Sequence, residues 1–317
     1  ERVAAPGEQM IEVSSIIAKA ASFYEKLRYL VDYREEHTIR RAALERILKR
    51  RVFLERKAES GLVLLQELVD GKYIVKEQAT EKIALDIDAI VQKFLGLSRL
   101  AGANESVGRR LISFAATEID EQISPVEYTI DHESVEALYK TLRGHVHVYG
   151  YSENQVNEQL YCAAWRSLLG ADNDRLAYAL WLLYVPEWRS RSVNLEELEG
   201  KLPKILMSVR AALSSGLQWQ LVPKIKNESI YFRIIREVLE NNRAGAGRIL
   251  ENPNELDRFT RRFLEEIYER ENKRIQSSGI RAVLYLFVTK MAIALVAELP
   301  YELFILGGIH YFPLTIN

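Results

Sequence analysis

The chain has 317 residues, 27% of them charged, and a formal net charge of −1. That length suits one large domain or two ordinary ones, and the balanced charge excludes the basic excess of a general nucleic-acid binder. Eight prolines, sixteen glycines and one cysteine argue against a many-turned β protein and against any internal disulfide.

Residues 8–60 contain neither Gly nor Pro. Within them Met10, Val13, Ile17, Ala20, Tyr24, Leu27 and Val31 recur in steps of three and four, the seam of a helix packed lengthwise on another. Ile16, Phe23 and Leu30 widen that seam to the face of a bundle. The pattern falters over 34–38, which predicts a helical hairpin. The most basic stretch follows, with Arg40, Arg41, Arg46, Lys49, Arg50, Arg51, Arg56 and Lys57 interleaved with Leu44, Ile47, Leu48, Val52 and Leu54. We expect this amphipathic helix to present Arg40, Arg41, Lys49, Arg50 and Arg51 to an anionic surface. Membrane headgroups fit better than nucleic acid, because Phe53 is the one aromatic there to stack on a base.

An apolar helical set over 62–69 is closed by Asp70-Gly71, and Ile83, Ile87, Ile90, Val91 and Phe94 repeat the amphipathic period. Residues 96–108 read as a loop and a domain boundary. Pro125 is expected to stop a helix over 109–123, and Asp131 to cap one over 133–142. Further on, Ser152 with Gln155 and Asn194 with Glu197 spell capping boxes, and Asp172 is a cap. The helices begun at Ser152 and Asp172 carry Tyr161, Trp165, Tyr178, Trp181 and Tyr184, and read as the aromatic centre. Pro203 is placed near the start of a helix over 202–213. Gln218–Pro223 is read as a connector into a helix over 227–242. Asn252-Pro253-Asn254-Glu255 is a complete helix start, and its helix is expected to bury Leu256, Phe259, Phe263 and Ile267.

Residues 279–317 are the most apolar of the chain: from Ala282 onward the formal charges are Lys290, Glu298 and Glu302 alone. A membrane-crossing helix needs roughly 20 mostly apolar residues, and Leu299-Pro300 interrupts the first apolar run. The segment therefore reads as a core helix, as an interfacial hairpin, or as the start of a membrane region. The chain opens without Met and closes on apolar Leu-Thr-Ile-Asn, from which we expect a piece of a longer protein.

Signals for chemistry are thin. His145-x-His147 is the metal candidate, since alternate residues of an extended segment point the same way. Asp131 or Glu133 offers distant help, but a zinc site needs three or four ligands, so no metal and no cofactor is expected. Gly245-Ala-Gly247 has Leu250 in place of the third glycine of a dinucleotide loop and follows no strand. Glu118, Asp120 and Glu121 read as a solvated helix face, and Cys162 as packed among Tyr161, Ala163 and Trp165.

The sequence thus predicts an all-α chain: a multi-helix, bundle-like array with a long N-terminal helical hairpin and an apolar C-terminal helix. The expected domains are 1–100, 101–278 and 279–317. The function expected is that of a non-enzymatic helical scaffold or binding protein, cytoplasmic in bulk. It would attach to the cytoplasmic face of a membrane, meeting lipid or a membrane protein through Tyr285, Phe287, Lys290 and Phe304. The alternative is a soluble helical regulator or homo-oligomeric interaction protein whose C-terminal segment is core or interface. An enzyme with scattered site residues is a third class, and such a site leaves no local spacing to read.

Overall fold

The computed structural model describes residues 36–50, 61–100, 105–190 and 193–293. These form eleven α-helices and, among the described residues, no strand. In order they are α1 Glu36–Leu48, α2 Gly61–Asp70, α3 Glu81–Leu100, α4 Glu105–Ile123, α5 Pro125–Leu142 and α6 Glu153–Leu169. Then come α7 Asn173–Tyr184, α8 Leu195–Ser214, α9 Leu217–Asn241, α10 Ala246–Glu251 and α11 Pro253–Ile293. The seam over 10–31, the hinge over 34–35, Arg51 and Phe304 lie outside the described residues.

Two compact units divide the chain at Arg236/Glu237. In the first, α4 is the hub, packed on α1, α3, α5 and α7. From Leu111 to Ile123 nearly every residue is buried, because the small Ala115-Ala116-Thr117 step lets neighbouring helices approach from all sides. Around it Phe94, Phe114, Tyr178, Trp181 and Trp188 stack at aromatic contact distances. Phe94 and Trp188 centroids are 4.7 Å apart, Phe114 and Trp181 5.3 Å, and Trp181 meets Trp188 edge-on at 5.1 Å. Such pairs add about 0.5–1.5 kcal/mol each beyond their buried area. The expected aromatic centre on α6 and α7 is present through Trp165, Tyr178 and Trp181, all buried. Trp188, on the 3-10 turn Pro186–Arg189, joins it.

Helix starts follow their side-chain signals. Ser152 and Gln155 bond reciprocally, Asp172 accepts from the Arg175 amide, and Asn194 accepts from the Glu196 and Glu197 amides. Asn252 accepts from the Asn254 and Glu255 amides at the head of α11. The prolines behave differently from expectation. Pro125 does not merely end α4; it opens α5 at its first position, where its missing N–H costs nothing. Helix α5 then runs unbroken to Leu142, so Asp131 is a mid-helix residue and not a cap. Pro203 and Pro223 sit inside α8 and α9. Both are exposed, where a carbonyl freed by the proline finds water.

Residue 100 separates α3 from α4, which pack on each other, and 278 lies within α11. Helix α2 makes a close backbone approach to α3. A Cβ on Gly61 would stand 2.2 Å from the carbonyl oxygen of Ala84, and neither backbone can yield cheaply. Gly61→Ala should lower stability by about 1–3 kcal/mol, read as a lower urea midpoint at unchanged m.

The second unit has its own small core. Val238, Ala246 and Ile249 are buried with Leu239, Leu250, Leu256 and Phe259 packed against them. Helix α11 leaves that core after Ile267: Tyr268, Ile275 and Ile280 are exposed.

Candidate functional site

The carboxylates of α4 lie in the core, against the expectation of a solvated face. Glu118 accepts from Trp188 Nε1 at 2.7 Å and pairs with Lys93. Lys93 itself donates to the Trp188 carbonyl at 2.8 Å and lies 4.2 Å from the centre of that indole. Asp120, fully buried, accepts from Arg40 Nε and from the Tyr128 hydroxyl. Glu121 pairs with Arg189, and His132 Nε2 lies 3.1 Å from its other oxygen. One helix away, Asp131 accepts from both Arg175 and Arg236. Burial disfavours the charge on Arg175, but Asp131, Tyr128 and Glu121 together outweigh it and raise the guanidinium above its usual value. Each buried charge is matched by one of opposite sign, the condition under which burial is tolerated.

This network takes two residues out of the expected basic surface. Arg40 and Arg41 are 4% and 5% exposed, Arg40 on Asp120 and Arg41 on Asp172. Arg40 precedes Leu44, Ile47 and Leu48 at the four-, seven- and eight-residue intervals of a single helix face, and that spacing already places it inward. Lys49 and Arg50 are exposed, Arg50 paired with Glu67. An exposed pair of this kind contributes little.

His145 and His147 are both exposed, while Val146 and Val148 turn in against Val156, Leu160 and Leu221. The alternation expected of an extended segment is there, aimed at solvent. Asp131 is committed to two arginines, and among the described residues no group of three metal-binding side chains forms. A surface depression of about 200 Å³ lies between Glu187, Val193, Asn194, Glu197, Leu198 and Lys201. Its polar groups are already engaged, Lys201 with Glu197 and Asn194 with the start of α8. Cys162 is buried, and burial pushes its thiol up to about 12. At pH 8 that leaves about one thiolate in ten thousand. A disulfide reagent should therefore leave the folded chain unmodified and react with one thiol once urea unfolds it.

The distal part of α11 carries a long exposed apolar run. Ile280 is 70% exposed, and the consecutive Val283, Leu284, Tyr285, Leu286, Phe287 and Val288 range from 56% to 72%. Six consecutive residues at about 100° per residue cover more than a full turn, so no side of the helix there is polar. A helix apolar all round belongs inside something. Tyr285 and Phe287 are thus in the open, as is Lys290 one turn on. Ile280–Ile293 is about 21 Å long at 1.5 Å per residue, short of a hydrocarbon core of about 30 Å. No helix among the described residues is long and apolar enough to cross a membrane. Its composition marks this stretch in the sequence; that its side chains are exposed is visible only in the fold. No protein family, no curated protein and no solved structure matches this chain.

Proposed function

We propose that this chain is a non-enzymatic helical scaffold, held at the cytoplasmic face of a membrane by the apolar end of α11. The observation that carries the reading is the run Val283–Val288, exposed on every side of the helix. Leaving one Leu or Phe in water instead of an apolar medium forgoes about 1.5–3 kcal/mol, and here six large apolar residues are left so. The contact we propose for the described part of α11 is insertion into the interface, the mode open to helices that lie in the plane of a bilayer. A bulk in a reducing compartment fits the single buried thiol. The non-enzymatic part of the reading is supported by the charged network, whose carboxylates are spent on matching buried cations.

Flotation with vesicles of phosphatidylcholine tests the reading. The chain should rise with the lipid, and a variant carrying Leu284→Ser, Leu286→Ser and Phe287→Ser should stay at the bottom. If both stay at the bottom and the unaltered chain sediments as a stable oligomer without lipid, the apolar end is an interface between copies.

A further inference from the structure

The same helix carries a second feature, ahead of the apolar end. Arg270, Lys273, Arg274 and Arg281 follow one another on α11, and at 3.6 residues per turn they fall within an arc of about 100°. Glu271 lies outside that arc. Glu266 lies within it but a turn earlier, so the basic stripe begins at Arg270. The nearly opposite side carries Leu264, Tyr268 and Ile275, which are 44%, 79% and 69% exposed. A helix with a basic face, an apolar face and an apolar end has the layout of one lying at a lipid surface, with its cations among the headgroups. Lys273 also pairs with Glu269 at 3.7 Å, a fully exposed contact that a phosphate can displace.

We infer that the stripe Arg270–Lys273–Arg274–Arg281 selects anionic lipid, so that α11 docks more tightly on a membrane rich in acidic headgroups than on a neutral one. The inference rests on the docking proposed above, and charge complementarity chooses the occupant: basic residues beside an inserted segment gain affinity from each acidic headgroup they meet, within about 10 Å at moderate salt. The location differs from the one expected from sequence, where the anionic contact was assigned to the helix holding Arg40 and Arg41. Those two are spent on Asp120 and Asp172.

The test titrates the full chain with vesicles of phosphatidylcholine alone and of phosphatidylcholine mixed with phosphatidylserine. The mixed vesicles should bind at least about tenfold more tightly, with the preference fading as salt rises. Replacing Arg270, Lys273, Arg274 and Arg281 by Gln should abolish the preference and leave binding to neutral vesicles as it was. A control with the same charge change on other exposed positions, Lys224, Lys226, Arg233 and Arg243 to Gln, should retain it. Circular dichroism checks that each variant is as helical as the parent. Equal binding to both vesicles overturns the selectivity and leaves the docking standing. A preference kept by the stripe variant, or lost in the control, overturns the assignment to these residues. Binding to neither vesicle overturns the docking and the selectivity together.

Discussion

Replacing Asp120 with alanine should destabilise the helical body by about 3–5 kcal/mol. The carboxylate is fully buried, and with it gone the Arg40 guanidinium, also buried, keeps its charge and loses its counter-ion. Arg40 Nη2 also contacts Ser124 Oγ at 3.2 Å, a neutral acceptor where Asp120 supplied an anion. The Tyr128 hydroxyl loses its acceptor as well. Its acidity is already suppressed, first by burial and then by Asp120, so it stays a neutral donor that has lost its buried carboxylate. Cavity and charge terms thus add. The paired variant Arg40→Met with Asp120→Leu should recover most of the loss, since apolar residues of like volume replace a buried ion pair at little or no cost. Urea unfolding of the single and double variants checks both. A single-variant loss below about 1 kcal/mol would show the pair to be hydrated.

The triple change Leu284→Ser, Leu286→Ser and Phe287→Ser should weaken binding to phosphatidylcholine vesicles by well over tenfold. Each of these side chains stands about 60% exposed, so serine removes no contact of the folded body. Full transfer of one such group to an apolar medium is worth about 1.5–3 kcal/mol. Even half of that, for three groups resting at an interface, exceeds the 1.4 kcal/mol that corresponds to tenfold. Stability is expected to move by no more than about 0.5 kcal/mol, as for surface substitutions in general. That separation is the diagnostic part: a segment that is core would lose stability on the same change, and a docking segment would lose only the lipid.

How far the sequence carried can be judged residue by residue. The caps at Ser152, Asp172, Asn194 and Asn252 were legible because each satisfies amides three residues or fewer away. The aromatic centre was legible because Tyr178 and Trp181 sit in the unbroken apolar run Leu176–Val185. Helix α4 was misread. Apart from Tyr128 and His132, 8 and 11 positions off, the partners of its Glu118, Asp120 and Glu121 lie 25 to 80 positions away in the chain, and no local rule announces a cation that arrives from another helix. Arg40 is the exception, since its spacing to Leu44 and Ile47 carried the signal. Pro203 and Pro223 were read as boundaries on local sterics, yet packing of Leu202, Leu221 and Ile225 into the core keeps both helices continuous through them. For the apolar end the letters supplied hydrophobicity alone, and whether it is core or free depends on what folds beside it.

The measurement that bears most directly on the membrane reading is fluorescence from a single site on α11. Tyr285→Cys, 72% exposed in the parent, can be labelled alone with a polarity-sensitive dye because burial holds the Cys162 thiol near 12 and unreactive. On adding vesicles the emission should shift to the blue and become protected from an aqueous quencher, with far-ultraviolet circular dichroism unchanged. An emission that stays at its aqueous position, fully open to the quencher at saturating lipid, would contradict insertion of α11.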